Sequence, residues 1–213
     1  MESEANTHGA RRRAFDLDRT ISLSDGIFAF ALTLLVLSPS APEIASNSSS
    51  AELWTALKQR DNELISYLVS FCVVGGFWIR HHRFCGTLEA VDGRFLVINL
   101  AYLATIAFTP YPTQLLGDFG NSAAFAFYAV ALSASTIAGG VLSEYAARAG
   151  LLREARTDEE KRKALFNGIA VTCGFLVSIP IVLLSDQLWL GYLCWFTGAS
   201  LHRLVRPSGS GKH

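Results

Sequence analysis

One stretch limits the possible folds more than any other. Arg19-Thr-Ile-Ser-Leu-Ser-Asp25-Gly-Ile-Phe-Ala-Phe30-Ala-Leu-Thr33-Leu-Leu-Val-Leu37-Ser-Pro39 is an apolar run with no charge between Asp25 and Glu43. As an α-helix, residues 22–38 rise about 25 Å, slightly short of the ~30 Å hydrocarbon core of a bilayer but extendable toward Asp18. A lone membrane anchor needs no carboxylate, yet this one carries Ser22, Ser24, Asp25 and Thr33 spread unequally around its axis. At about 100° per residue, Arg19, Ser22, Leu23, Gly26, Phe30, Thr33 and Leu37 share one stripe, and Asp25 lies about 100° off it. One face is free to line something shared. Asp25 needs a partner from another helix, because an unpaired carboxylate at this depth is costly. Arg19 falls outside the i,i+3 and i,i+4 relation to it.

The rest of the chain repeats the apolar theme, with 51% apolar residues in 213 and a formal net charge of zero. That balance offers no basic surface for nucleic acid, and no zinc-finger or phosphate-loop spacing is present. After the first span, 40–60 reads as a loop with a short surface helix over 51–58, and Asn47-Ser48-Ser49 matches a weak glycosylation sequon. Further spans are expected at 64–79, 95–116, 122–145, 165–184 and 188–204. Gly75-Gly76 is expected to permit close helix approach in the second, and Thr109-Pro110-Tyr111-Pro112 to break the third. A small-residue track from Ala131 to Gly140 suits tight contacts in the fourth. Pro180 lies inside the fifth, and 148–163 reads as a charged loop. The N-terminal run is not read as a cleaved signal: its apolar part is longer than a typical h-region and no A-x-A-like site follows it before Ser38-Pro39. Cys72, Cys85, Cys173 and Cys194 form no C-x-x-C pair and read as free core thiols.

Charge sorts the six segments independently of hydropathy. Alternating sides place Arg11, Arg12, Arg13, Arg19, Arg80, Arg83, Arg94, Arg148, Arg153, Arg156, Lys161, Arg162, Lys163, Arg203, Arg206 and Lys212 together, against only Lys58 and Arg60. By the positive-inside rule both termini are cytoplasmic. The expected architecture is an all-α, multi-pass protein of the cell membrane. Residues 1–18 form a cytoplasmic N-terminal segment, 19–206 a domain of six transmembrane helices, and 207–213 a disordered tail.

Arg19-x-x-x-Leu23-Ser24-Asp25, with the apolar run after it, resembles the R-x-x-x-F-S-D signature opening the first helix of the transmembrane protein 175 family of potassium channels. Trp78-x-x-His81-His82 and Pro110-Tyr-Pro112 resemble that family's later helices. The resemblance implies a one-repeat, six-span prokaryotic form assembling as a homotetramer, with the first helix of each subunit around the ion path. Matched position by position, it puts the narrowest apolar ring on Phe30, further rings on Leu34 and Leu37, and potassium preference on Thr33. Two positions depart from the pattern: Leu23 replaces the signature Phe, and Phe30 replaces the Ile or Leu of the constriction. Four copies of the stripe would form stacked rings, and an apolar ring gates by dewetting.

Blander roles remain open for the same residues. The stripe could pack within one subunit, and Thr33 could bond back to the carbonyl of Ala29. Arg19, Ser24 and Asp25 read as a structural network rather than an ion ligand, joined by Trp78, His81, His82 and Asn99. A hydrogen bond from His81 or His82 to Asp25 or Asn99 is expected, the other histidine facing the interface. A metal role for the histidine pair is disfavoured, since neighbours on a helix point about 100° apart. The expected function is a potassium-permeable cation channel with a hydrophobic constriction. The alternative is a proton-coupled transporter or proton-leak pathway. Few groups converge as a catalytic site needs, and no enzyme activity, cofactor or resident metal is expected. The expected partners are copies of the chain, membrane lipids and permeant potassium ions.

Overall fold

The computed structural model describes residues 2–42 and 44–195, with side chains from residue 16 onward. It is all-helical: α1 Glu2–Leu35, α2 Ser50–Lys58, α3 Asp61–Cys85, α4 Gly93–Phe108, α5 Pro110–Phe119, α6 Ser122–Arg148 and α7 Asp158–Ser185. Residues 188–195 are helical again. Among the described residues, four stretches are long and apolar enough to cross a membrane: Asp61–Cys85, Gly93–Phe119, Ser122–Arg148 and Asp158–Ser185. The protein is a multi-pass membrane protein. The sixth expected span beyond residue 195, the 207–213 tail and the Arg11 to Arg13 side chains lie outside the described residues.

Local chemistry fixes most boundaries. Asp92 and Asn121 cap α4 and α6 by accepting from the N–H of Phe95 at 2.7 Å and Ala124 at 2.9 Å. Ser49 with Glu52 and Thr157 with Glu160 form reciprocal capping boxes that start α2 and α7. The second box corrects the sequence reading, since α7 begins at Asp158 and the last six residues of the charged loop are helix. Pro110 has no N–H to donate, so the long third span breaks into α4 and α5 at Thr109. α1 ends at Leu35 and continues as turn, with Ser38 N–H donating to the Leu35 carbonyl at 3.1 Å.

α1 packs on α3 and α4, α3 on α5, α4 and α5 on α6, and α6 on α7. The shared core includes Phe28, Leu35, Val74, Tyr102, Leu103, Ile106, Phe125, Tyr128 and Leu132. Small residues serve unevenly. A Cβ at Gly139 would stand 3.1 Å from the Tyr102 ring and 3.2 Å from the Arg80 guanidinium, whereas Gly75, Gly76 and Gly140 meet nothing within 4 Å. The expected close approach at Gly75-Gly76 is therefore not made inside one chain, because no neighbouring helix covers that face. At one end of the bundle the 86–92 and 149–157 loops pair, with Glu89 N–H donating to Leu151 O and Arg153 N–H to Thr87 O, each at 2.9 Å.

Candidate functional site

α1 divides cleanly into two faces. Thr20, Ser24, Phe28, Ala31 and Leu35 are buried against α3 and α4. Arg19, Ser22, Gly26 and Thr33 are exposed, and so are Leu23 at 52%, Phe30 at 61% and Leu37 at 73%. Leu34 is half-buried at the edge. The whole stripe thus faces away from its own subunit, although the opposite face of the same helix is buried against α3 and α4. Thr33 Oγ1 donates to the carbonyl of Phe30 at 2.8 Å, one residue nearer than the Ala29 carbonyl expected. That bond holds the methyl and hydroxyl at a fixed rotamer on the exposed face.

The polar residues of the motif are joined to other helices by Trp78 and Asn99 of the expected network, though not by the histidines. Trp78 Nε1 donates to Asp25 Oδ1 at 2.9 Å, linking α3 to α1. Asn99 Nδ2 donates to Ser24 Oγ at 3.1 Å, linking α4 to α1, and Ser24 in turn donates to the Thr20 carbonyl. Neither histidine takes Asp25 or Asn99. His81 is buried between the rings of Phe28 at 5.6 Å and Tyr102 at 5.2 Å, and its Nε2 lies 3.4 Å from Cys85 Sγ on the next turn. His82 is exposed and packs on Trp78 at 5.4 Å. The indole reaches Asp25 because Trp78 and His81 share the α1-facing side of α3, and Trp78 is the longer, more peripheral donor. Arg19 lies on the exposed stripe and beside the groove between α1 and the start of α4. Among the described residues no three His, Cys, Asp or Glu side chains gather to hold a metal ion.

Three further links join the helices, and none is signalled by the sequence. Ser70 of α3, Thr113 of α5 and Tyr128 of α6 form a fully buried hydroxyl cluster, with Ser70 Oγ 2.7 Å from the Tyr128 hydroxyl and 2.9 Å from Thr113 Oγ1. Nothing in the spacing of single hydroxyls signals such a cluster. Arg60 and Glu63 at the start of α3 hold the backbone of Ser40, beyond the end of α1. At the opposite end Tyr145 donates to Asp92 Oδ2 at 2.7 Å. The Phe95 N–H, more than this phenol, holds the Asp92 carboxyl below the usual carboxylate range.

The family model described as the endosomal/lysosomal potassium channel TMEM175 matches residues 19–110. A potassium channel of Streptomyces collinus is 29% identical over 178 residues, 81% of this chain and 85% of that protein. A zebrafish (Danio rerio) endosomal/lysosomal proton channel TMEM175 is 26% identical over 49% of this chain and 20% of its own length. Among solved structures, the lysosomal potassium-selective channel TMEM175 homolog from Chamaesiphon minutus superimposes with a TM-score of 0.71 at 26% identity, covering 89% of this chain and 97% of that one.

Proposed function

We propose, for a chain that belongs to the TMEM175 family, that it forms a potassium-permeable cation channel whose path is lined by α1 of four identical subunits. The observation that carries this reading is the exposed face of α1. A helix whose opposite face is completely buried presents Phe30, Thr33 and Leu37 to a neighbour, and one such stripe cannot enclose a path without symmetry. Four copies would stack Phe30, Leu34 and Leu37 as apolar rings with Thr33 between them, and the Phe30 ring excludes water when closed. The Asp25, Trp78, Ser24 and Asn99 bonds then serve to hold α1 in place behind the rings.

Six spans follow if the apolar half of α1 and the helix starting at 188 cross alongside the four long stretches. The sixteen-to-two split of basic residues then puts both termini in the cytoplasm. Proton conduction is the second reading, favoured by the name of the zebrafish relative. Reconstitution in liposomes with a potassium gradient and a separate proton-flux dye tests both. Electrogenic potassium flux without obligatory proton movement is expected; strictly proton-coupled flux, or none from a purified tetramer, refutes the channel reading.

A further inference from the structure

We infer that Arg60 and Glu63 are positioning residues for the Leu37 end of the pore-lining helix, an inference that rests on α1 lining the path. Past Leu35 the chain closes a turn, with Leu37 N–H donating to Leu34 O at 3.0 Å and Ser38 N–H to Leu35 O at 3.1 Å. Ser38 is buried, and Pro39 fixes the next φ. Both backbone groups of Ser40 are then taken by one ion pair. Ser40 N–H donates to Glu63 Oε2 at 2.9 Å, its carbonyl accepts from Arg60 Nη1 at 3.2 Å, and Arg60 and Glu63 contact each other at 3.2 Å. The acid is well shielded, its side chain 12% exposed against 30% for Arg60.

The clamp has a stiff backing. A Cβ at Gly117 of α5 would stand 3.2 Å from Glu63 Cα, so α5 lies directly behind the acid. α3 and α5 are locked to each other and to α6 by Ser70, Thr113 and Tyr128. Leu37 is separated from Ser40 only by Ser38 and Pro39, one buried and the other conformationally fixed, so holding Ser40 sets where the Leu37 side chain points. Arg60 and Glu63 touch no permeant ion in this arrangement; they act through Ser40.

In proteoliposomes containing the intact tetramer, E63A is expected to raise basal potassium flux by about tenfold, the scale of one lost charge-assisted hydrogen bond, and to lower the potassium-to-sodium ratio. E63Q keeps an oxygen for the Ser40 N–H and should shift flux by only about threefold. A merely structural defect would lower yield and flux together and leave the ratio alone. If E63A and E63Q act equally and high salt abolishes the effect, Glu63 works through its charge at the mouth and the positioning role is overturned. If neither variant moves flux or ratio while Leu37→Ala does, the clamp is overturned and the pore reading stands. If Leu37→Ala is also silent, the Leu37 ring sets no barrier and the clamp is overturned, whereas the pore reading itself falls only if Phe30→Ala is silent too. Should E63A not assemble, R60A removes the other half of the clamp and is expected to shift flux and ratio in the same direction; an R60A channel identical to the parent overturns the inference.

Discussion

Phe28 and Phe30 stand two residues apart on α1 in opposite environments, so truncating each separates the pore from the fold. Phe28 is fully buried against His81 and Tyr102, and Phe28→Ala should cost the ~3–5 kcal/mol typical of an emptied core phenylalanine site. Phe30 is 61% exposed in its own subunit, so the same scale gives only about 1–2 kcal/mol for Phe30→Ala. Its effect on conduction should be the larger one. Tenfold in rate corresponds to about 1.4 kcal/mol of barrier. Shared by four rings that is about 0.35 kcal/mol each, a small part of the ~2 kcal/mol by which a phenyl ring resists water. Phe30→Ala is therefore expected to raise basal cation flux at least about tenfold while the tetramer still elutes as one species and melts within a few degrees of the parent. Phe28→Ala should instead lose yield and thermal stability. The check is dye-reported flux in proteoliposomes beside size exclusion and a melt. Ile27, half-buried and packed on the core, is the internal control. Equal flux increases from Phe30→Ala and Ile27→Ala would mean general loosening of the bundle, and the pore assignment would have to be abandoned.

Thr33→Ala should leave flux within about twofold but reduce potassium preference over sodium, read as a shift in reversal potential; an unchanged ratio removes Thr33 from selectivity. Asp25→Ala should impair assembly more than selectivity, and Trp78→Phe, which removes the indole donor to Asp25, should lower stability by about 1–2 kcal/mol. A normal tetramer with altered ion preference in either variant would place Asp25 in the path instead. Asp92 has a lowered folded pKa, so its contribution is complete above the unfolded carboxylate value and is lost as pH falls through the folded one. Melts between roughly pH 5 and pH 3 should therefore show a steeper loss of stability for the parent than for Tyr145→Phe, which removes the phenol's share of that shift; parallel curves would dismiss the Asp92 to Tyr145 bond as a stabilising contact.

The faces of α1 were legible because a 3.6-residue period sorts seven residues onto one side whatever surrounds them. The break at Pro110 and the short helix before Lys58 were legible for an equally local reason, a missing N–H in one case and a polar, turn-flanked segment in the other. Partners across helices were harder. Sequence puts Trp78 and His81 on one face of α3 but does not say how far each reaches; the buried one packs on Phe28 at a tilt while the peripheral one meets Asp25. The start of α7 was readable and missed: Thr157-Asp-Glu-Glu160 is a capping-box pattern hidden inside what looked like a run of mixed charge. The Ser70, Thr113 and Tyr128 cluster belongs to a third kind, in which each residue is unremarkable alone and acquires its role only when three helices converge.

The two ties between α1 and α3 bear on how such a path would open. Asp25 is held by Trp78 and Ser40 by Glu63, and because the helices run antiparallel, the fifteen residues from 25 to 40 on one strand of the pair match the fifteen from 63 to 78 on the other. Over 63–78 α3 rises about 22 Å, most of the depth of a bilayer core. Sliding α1 along α3 by even one turn would break both ties at once, and tilting it would break at least one while pulling Phe28, Ala31 and Leu35 out of full burial. Neither motion is cheap for a helix held at Asp25 and again just past its end at Ser40. A phenyl ring at 61% exposure on the free face is under no such restraint, since it changes rotamer without disturbing any of these contacts. The lowest-cost opening left to the proposed channel is therefore a swing of Phe30 about χ1 and χ2, with α1 itself standing still.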